Sequence, residues 1–328
     1  MKSSPLVSLG MPVYNGERTV ARALDSVLGQ SYENLEVVIA DNASTDKTPD
    51  ICLEYASRDP RIRYYRNETN LGVLPNFRRV LELTTGEYFT WACTDDRRPS
   101  HAVQMCVEAL EKNPGAVMVH GPVLHEAGND GEIVELKNDL DLSAWDSSER
   151  IKTFTRELRL NTILYGLYRR SALARGIFPY TLGQDYLLVL QMCAVGPFLK
   201  VETPIVIYHI RRPVSDISDN PMYRDVPMTF TNLLMDCGLR RWKCWTVLIM
   251  GSYYLFKISG IPLRRRLHAI GVHVCAFSMR YRTKMAREFL FQCFAPLAWV
   301  SLVVWRLACH WPFSFRLVRR LKALLIHN

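Results

Sequence analysis

Residues 7–16 read VSLGMPVYNG, and residues 37–46 read VVIADNASTD. Each stretch begins as an apolar run of strand length and ends in polar, turn-forming residues. Between them, residues 19–28 carry apolar side chains at the spacing of one helix face, which predicts a helix. Buried strands that alternate with helices indicate βαβ units. These stretches therefore predict an α/β fold built around a mostly parallel sheet.

The same alternation extends over the first hundred residues. The predicted strands are Leu6–Met11, Glu36–Ala40, Arg63–Tyr65 and Tyr88–Ala92. The predicted helices are Thr19–Leu28, Thr48–Ala56 and Pro75–Leu83. Residues 101–120 continue with a helix and a strand, and apolar runs return over residues 162–206. The stretch between, residues 121–160, is polar and predicts an irregular excursion with an edge hairpin.

Three of these strands lead directly into polar clusters, at residues 14–16, at residues 41–44, and at Asp95 and Asp96. Ligands of parallel α/β sheets bind beyond the carboxyl ends of the strands. Adjacent carboxylates there supply the oxygen ligands that Mg²⁺ or Mn²⁺ prefers, and such a cation also binds phosphate oxygens. The alternative for Asp95 and Asp96 is an ordinary solvated turn.

Tyr14 and Asp41 are the candidates for binding a nucleobase. An aromatic ring stacks on a pyrimidine, and a carboxylate accepts the hydrogen of the ring imide. The alternatives are a loop tyrosine and an aspartate that caps a helix.

Four segments, in this order, resemble family 2 glycosyltransferases with the GT-A fold. Residues 7–16 are similar to the family's opening strand, and residues 37–46 to its second strand and Asp-x-x-Ser-x-Asp turn. Residues 70–76, NLGVLPN, resemble its Asn-x-Gly…Asn segment. Residues 86–96, GEYFTWACTDD, resemble the strand that leads into its metal-binding carboxylates. The resemblance covers about residues 5–215 and implies a Rossmann-like, mostly parallel sheet flanked by helices.

The resemblance also implies a role for each matched position. Tyr14 and Asp41 would contact the nucleobase, usually uracil, and Asp95 would lie near the ribose and phosphates. Asp96 would bind the cation, Mn²⁺ or Mg²⁺, and His209 would complete its coordination. The residues expected to bind the nucleotide-sugar donor are Pro12, Tyr14, Asn15, Asp41, Asn70 and Asp95.

Gln184-Asp185-Tyr186 resembles the family's Glu-Asp pair that opens a helix, in which the Asp is the general base. Asp185 is therefore expected to take the acceptor proton while the hydroxyl attacks the anomeric carbon opposite the diphosphate. Without the resemblance, Asp185 is an aspartate favoured by a helix dipole. Residues 208–215 resemble a Tyr-Arg-x-His-x-x-Ser stretch with Arg and His displaced, and Arg211 or Arg212 would pair with the diphosphate. The alternatives are a structural His209 and solvated arginines.

Two positions depart from the family pattern. Many relatives carry a further acidic residue where this chain has Cys93, which predicts fewer protein ligands for the metal. Gln184 replaces the common Glu, and the missing negative charge is expected to leave Asp185 slightly more acidic.

These residues predict an inverting, metal-dependent glycosyltransferase of the hexosyltransferase type, with a UDP-sugar as the expected donor. A nucleotidyltransferase is the first alternative, but its Gly-rich, basic loop after the first strand is missing from residues 12–16. The second alternative is a catalytically inactive GT-A-like scaffold that binds membrane or a partner enzyme. The scaffold predicts no loss of function on Asp185→Asn, whereas the enzyme predicts a large loss.

The charge of the chain, +9 in total, is divided unevenly. Residues 1–236 hold 25 Lys and Arg against 31 Asp and Glu, whereas residues 237–328 hold 16 basic residues against Glu288 alone. Nine scattered cysteines without a CxxC pair argue against a disulfide framework and a zinc site, and indicate a reducing compartment. No apolar signal region precedes the first strand, so we expect a cytoplasmic catalytic part.

The predicted organisation is a GT-A nucleotide-sugar transferase domain over residues 1–225 and a basic amphipathic helical region over residues 226–328. Residues 313–325 place apolar and basic side chains at helical spacing, which is typical of a helix on an anionic membrane surface. A helical subdomain packed on the core and a membrane span over residues 289–305 are the alternatives. The expected location is the inner face of the cell membrane, with a saccharide or lipid-linked saccharide as acceptor. Nucleic acid is not an expected partner, because bulky apolar residues interrupt the basic ones.

Overall fold

The computed structural model describes residues 4–127, 132–136, 140–158, 162–178, 183–210, 243–281 and 285. The strands are β1 (Val7–Val13), β2 (Leu35–Asp41), β3 (Ile62–Arg66), β4 (Tyr88–Trp91), β5 (Met118–His120), β6 (Val123–Ala127), β7 (Glu132–Leu136), β8 (Leu167–Arg169), β9 (Phe198–Lys200) and β10 (Val206–Ile210). The helices are α1 (Val20–Leu28), α2 (Thr48–Arg58), α3 (Val73–Leu83), α4 (Ala102–Lys112), α5 (Ser147–Glu157), α6 (Arg170–Leu173), α7 (Gln184–Val195), α8 (Lys243–Lys257) and α9 (263–281).

Seven strands form the main sheet, in the order β3-β2-β1-β4-β8-β5-β9. β1 pairs in parallel with β2 and β4, β2 pairs in parallel with β3, and β5 pairs in parallel with β9. β8 runs antiparallel to its neighbours β4 and β5. The predicted α/β fold with a mostly parallel sheet is therefore confirmed.

Helices cover both faces of this sheet, so its central strands are buried on both sides. All seven residues of β2 are buried. Gly10 of β1 allows this packing, because a Cβ there would lie 2.8 Å from a ring carbon of Phe89 and 3.1 Å from a methyl of Val80. Parallel strands enclosed in this way are expected to be continuous apolar runs, as the sequence has them.

A second, three-stranded sheet has the order β10-β6-β7. β10 pairs in parallel with β6, and β6 pairs antiparallel with β7. Arg97 and Ile207 exchange backbone hydrogen bonds of 2.9 and 2.8 Å, which place β10 beside the segment that follows Asp96.

Three details differ from the sequence expectation. β1 extends further than predicted, to Val13. The strand tolerates Pro12, which has no N–H to donate, because this residue lies beyond the last residue pair with β4. The expected hairpin is present as β6 and β7 but belongs to the second sheet. Helix α5 lies in the stretch that was expected to be irregular; Asp146 caps it by accepting a 2.9 Å hydrogen bond from the Ser148 N–H.

Helices α8 and α9 pack against α5 and α7. Leu255, Ile258 and Ala269 belong to the same buried cluster as Phe154 of α5 and Leu190 of α7. The basic C-terminal region is thus helical over these residues and shares a core with the α/β part. No helix in the described ranges is long and apolar enough to cross a membrane. The predicted domain boundary at residue 225 and the predicted membrane segments 289–305 and 313–325 lie outside the described residues.

Candidate functional site

The loops after β1 and β2 are joined by side-chain hydrogen bonds at the carboxyl edge of the sheet. The Asn15 N–H donates to the Ser44 hydroxyl at 2.9 Å, and the Asn15 side chain accepts from the Thr45 N–H at 2.9 Å. The Gly16 N–H donates to the Thr48 hydroxyl at 2.8 Å. Asn15, which was predicted to bind the nucleotide sugar, therefore holds the two loops together.

Tyr14 lies next to this junction with 49% of its surface exposed, while Pro12 is half-buried in β1. An exposed ring on loops held in this way is available to stack on a base without prior rearrangement. The role of Tyr14 in binding the nucleobase stays a prediction.

Asp41, at the end of β2, is completely buried. One carboxylate oxygen accepts from the Ser44 N–H at 2.9 Å, and the other accepts from the Tyr64 hydroxyl at 2.7 Å. The Arg66 Nε lies 3.8 Å from the carboxylate. Direct contact between Asp41 and a nucleobase therefore requires the surrounding side chains to move.

Asn70 is exposed and takes part in a network of asparagine side chains. Its carbonyl oxygen accepts from Asn42 Nδ2 at 2.6 Å and from the Gly72 N–H at 2.8 Å. Asn42 in turn accepts from Asn67 Nδ2 at 3.0 Å. Asn70 thus fixes the segment before α3 to the loop after β2, and this places it on the same edge of the sheet as Tyr14.

Asp95 and Asp96 follow β4 at this edge, together with Cys93. One potential ligand atom from each of these three residues lies within 4.8 Å of the other two. Asp96 is buried and Asp95 is half-buried. Burial, with Asp96 and Asp95 nearby, raises the pKa of the Cys93 thiol well above its usual value, so the thiol stays neutral. Without a cation, the cluster therefore presents two carboxyl groups and a neutral thiol.

A buried guanidinium lies behind this pair. Arg98 donates to the Thr90 hydroxyl at 2.6 Å, to the Trp91 carbonyl at 2.8 Å and to the Tyr165 carbonyl at 3.1 Å. Burial lowers the pKa of Arg98, while nearby Cys106 and Asp96 act in the opposite direction. A guanidinium nevertheless remains charged in proteins, so Arg98 places a permanent positive charge near Asp96.

Two further arginines meet a carboxylate from the second sheet. Glu126 of β6 accepts from Arg97 at 2.9 Å and from Arg22 at 3.3 Å. Arg22 also donates to the Asp95 carbonyl at 3.5 Å. With Arg98, three guanidinium groups balance the carboxylates of Asp95, Asp96 and Glu126. A diphosphate bound together with a divalent cation carries little net charge, so its binding would leave this balance nearly unchanged.

Asp185 lies in the first turn of α7 and is half-buried. The helix follows Gly183, whose φ of 77° is in the left-handed region that favours glycine. Because α7 leads into β9, which runs parallel to β5, its first turn lies at the carboxyl edge of the sheet. Burial, with smaller effects of Cys193 and Asp185, raises the pKa of Tyr168 in β8.

The backbone of His209 lies in β10, opposite Glu126 of β6 and two residues from the Arg97–Ile207 bridge. The strand is therefore adjacent to the segment that carries Asp96. The His209 side chain, Arg211 and Arg212 lie outside the described residues, and their expected roles stay predictions.

Comparison with known proteins identifies the family. The model of a family described as glycosyl transferase family 2 matches residues 8–176, which is more than half of the chain. The chain belongs to glycosyl transferase family 2. This matched region contains the joined loops and the carboxylate pair.

Two bacterial relatives show how far the similarity extends. WcaA of Escherichia coli, provisionally named a colanic acid biosynthesis glycosyl transferase, is 27% identical over 224 residues, which cover 67% of this chain and 78% of WcaA. EpsE of Bacillus subtilis, provisionally named a glycosyltransferase, is 38% identical over 114 residues. That match covers 34% of this chain and 41% of EpsE, so this chain spans less than half of EpsE.

Solved structures share the fold. TarS of S. aureus, in complex with UDP, superposes with a TM-score of 0.58 at 13% identity, over 85% of this chain and 73% of TarS. The mannosyltransferase PcManGT of Pyrobaculum calidifontis, in complex with GDP-Man and Mn²⁺, has a TM-score of 0.53 at 16% identity, over 99% of this chain and 86% of PcManGT. The GT-A fold expected for this glycosyl transferase is thus shared with both.

The donor set of this family 2 member fits a hard divalent cation. Asp95 and Asp96 would supply oxygen ligands, which Mg²⁺ and Mn²⁺ both accept. Cys93 would offer only a soft sulfur ligand, which a hard cation does not favour. The expectation of few protein ligands stays a prediction.

Several residues of the site were missed in the sequence. Tyr64 contacts Asp41 from β3, and Arg22 and Glu126 come from elements far apart in the chain. Arg97 and Arg98 carry a local signal, since two arginines follow the carboxylate pair directly. Tyr64, Arg22 and Glu126 carry no such signal, because contacts between elements distant in the chain do not follow a fixed sequence spacing.

Proposed function

We propose that this family 2 glycosyltransferase is an inverting, metal-dependent enzyme that transfers a sugar from a UDP-sugar to an acceptor hydroxyl. The carboxylate pair Asp95 and Asp96, beside the joined loops that carry Tyr14, is the observation that carries the proposal. The complex of TarS with UDP supports a uridine nucleotide, because TarS shares this fold.

The transfer replaces one bond at the anomeric carbon by another. The acceptor oxygen forms a bond to this carbon as the bond to the diphosphate oxygen breaks on the opposite face, so the configuration inverts. Asp185 takes the proton of the acceptor hydroxyl, and the nucleoside diphosphate leaves with the electron pair. A cation held by Asp96 and Asp95 would act as a Lewis acid that stabilises the leaving group.

The acceptor we propose is a lipid-linked saccharide in surface polysaccharide or glycolipid synthesis, at the inner face of the cell membrane. The name of WcaA, which refers to colanic acid biosynthesis, supports a polysaccharide product. The excess of basic residues after residue 236 supports an anionic membrane as the place of work.

The test measures nucleotide release from UDP-, GDP- and dTDP-sugars, with and without Mn²⁺, for the wild type and for Asp96→Asn and Asp185→Asn. We expect Mn²⁺-dependent release from a UDP-sugar and a loss of at least about 100-fold in each variant. Glu108→Gln, an exposed carboxylate on α4 that pairs only locally with Gln104, is the matched control and is expected to retain activity.

The outcomes separate the proposal from the inactive scaffold. Release that is equal in the wild type and in Asp96→Asn would contradict a metal site at this position. Silence over the whole panel, without any thermal shift on addition of nucleotide, would favour the scaffold.

A further inference from the structure

The outer face of α8 is apolar. Ile249, Tyr253 and Phe256 follow one another at intervals of four and three residues, and they are 61%, 48% and 43% exposed. This spacing places them on one side of the helix. Lys257 lies beside them, with its ammonium 5.8 Å from the centre of the Tyr253 ring.

Helix α9 continues this apolar surface. Leu267 and Met279 are more than half exposed, and Val274 between them is 37% exposed. Leu263, at the start of the helix, is exposed as well. We call six of these exposed residues the outer face; they are Ile249, Tyr253 and Phe256 of α8 and Leu263, Leu267 and Val274 of α9.

The core contacts of the two helices use their other side. Leu255 of α8 and Ala269 of α9 are buried in the cluster shared with α5 and α7. His273 is completely buried, and a Cβ at Gly251 would lie 2.4 Å from its ring nitrogen. The outer face is therefore not needed to hold the pair on the core. Six large apolar side chains exposed on two neighbouring helices indicate a binding surface.

The charged residues of helices α8 and α9 have one sign. Residues 243–281 contain six Lys and Arg and no Asp or Glu. Arg264, Arg265 and Arg266 lie together at the start of α9. Arg265 and Arg266 line a cavity of about 210 Å³ under the turn between the helices, with Arg150 and Arg175 and no acidic residue. Arg175 also donates to the Gly260 carbonyl at 2.8 Å, which fixes this turn to the core.

We propose that the outer face docks on an anionic phospholipid bilayer, with Arg264 and Arg265 at the level of the lipid phosphates. An apolar face on two helices that carry basic and no acidic residues is complementary to the headgroup region of such a membrane. A protein partner would have to supply an acidic apolar surface, whereas the bilayer presents both features over any area. The inference rests on the proposed function, in which the acceptor is lipid-linked.

When docked, α8 and α9 would also hold α7, the helix that carries the predicted general base Asp185. His273 of α9 lies against the Tyr186 ring, with 6.4 Å between the ring centres, and Tyr186 follows Asp185 directly in α7. α8 also packs along α7. Docking through the outer face would therefore set the orientation of the catalytic edge relative to the membrane.

The test uses the full chain in flotation with vesicles of phosphatidylglycerol and phosphatidylcholine, or of phosphatidylcholine alone. We expect binding that needs phosphatidylglycerol and weakens with salt. The double variant Ile249→Glu and Leu267→Glu should bind at least about tenfold more weakly. Arg264→Gln with Arg265→Gln should lose most of the preference for phosphatidylglycerol.

Leu53→Glu on α2 is the control for the apolar variant, because Leu53 is 53% exposed and lies outside the outer face. Arg58→Gln, on the same helix, is the control for the charge variant. Vesicle binding by the double variants that equals that of the wild type would overturn the proposal. So would a concentration-dependent dimer of the wild type that the apolar variant abolishes, combined with no vesicle binding.

Nucleotide release in solution, without vesicles, keeps this inference separate from the proposed function. The outer-face variants should release nucleotide at the wild-type rate. A chain that is active but does not bind vesicles contradicts the docking surface alone. A chain that binds vesicles but shows no release contradicts the proposed activity alone.

Discussion

At the scale of single residues, two buried aspartates at one edge of the sheet have different surroundings. Asp41 accepts from a backbone N–H and from the Tyr64 hydroxyl, with Arg66 at 3.8 Å. Asp96 lies among Asp95, Cys93 and the buried guanidinium of Arg98. Asp41 thus accepts hydrogen bonds from two different elements, whereas Asp95 and Asp96 bring two carboxylates close together, where a divalent cation would reduce their mutual repulsion.

The hydroxyl of Tyr64 is expected to stabilise the protein through its hydrogen bond to Asp41. Tyr64→Phe removes the hydroxyl that donates a 2.7 Å hydrogen bond to this buried carboxylate. Because bonds to charged groups contribute more than neutral ones, we expect a loss of about 1.5–3 kcal/mol in the free energy of unfolding. Urea denaturation of the variant measures this loss.

Tyr65→Phe is the matched control for Tyr64→Phe. The Tyr65 hydroxyl accepts from Arg63, which also pairs with Glu36, so the loss should be smaller than that of Tyr64→Phe. Equal stability of Tyr64→Phe and the wild type would show that the contact with Asp41 is energetically neutral.

At the scale of elements, asparagine side chains join the end of β2, the segment after β3 and the start of α3. Asn67 Nδ2 donates to Asn42 and to Asn76 at 3.0 Å each, and Asn76 Nδ2 donates to the Ala40 carbonyl at 2.8 Å. Asn42, Asn67 and Asn76 are buried. The network sets the position of α3 against the sheet, and with it the position of Asn70.

Asn67→Ala should destabilise the protein by about 2–3 kcal/mol, because it removes the donor to two buried carbonyl oxygens at once. The midpoint of urea denaturation measures the effect. Asn113→Ala is the control: its Nδ2 makes one exposed bond to the Ala109 carbonyl, so we expect a change below about 0.5 kcal/mol. A similar effect of both variants would mean that the buried network contributes nothing beyond a surface bond.

At the scale of the whole molecule, two histidines are held neutral inside the protein. His120 of β5 is 1% exposed and His273 of α9 is completely buried. Burial lowers the pKa of His273 from 6.5 to about 4. Burial, with a smaller effect of Lys200, lowers the pKa of His120 to about 4 as well.

The stability of the protein should therefore fall as the pH decreases from about 6.5 to about 4. In this range the unfolded chain binds protons at both histidines and the folded chain does not, so protons favour unfolding. The contribution of each neutral histidine to the free energy of unfolding is fully present above pH 6.5 and amounts to roughly 3 kcal/mol at most. Thermal unfolding measured between pH 7 and pH 5 tests this dependence.

His273→Leu should flatten this pH dependence whatever its effect on stability at neutral pH, because the slope depends on proton binding alone. His101→Leu, at an exposed position before α4, should leave the slope as it is in the wild type. A wild-type slope in His273→Leu would contradict a neutral His273 in the folded state.

The sequence alone determined the α/β alternation, because apolar runs such as residues 7–11 and 37–40 must be buried on both faces of a sheet wherever they lie. It also determined the carboxylate pair at the end of β4, since the two ligands are adjacent in the chain. Helix α5 was not predicted, although Asp146 and Glu149 form a capping pattern, because its apolar spacing is short and set in a polar stretch.

Only the tertiary structure decided which groups surround these carboxylates. Tyr64 contacts Asp41 because β3 pairs in parallel with β2, and Glu126 meets Arg22 and Arg97 because the second sheet lies beside the first. The outer face of α8 and α9 likewise exists because α5 and α7 cover one side of each helix and not the other. Local pattern determines which side chains are buried, but the neighbours of a buried or exposed group come from strand order and helix packing, which no spacing along the chain encodes.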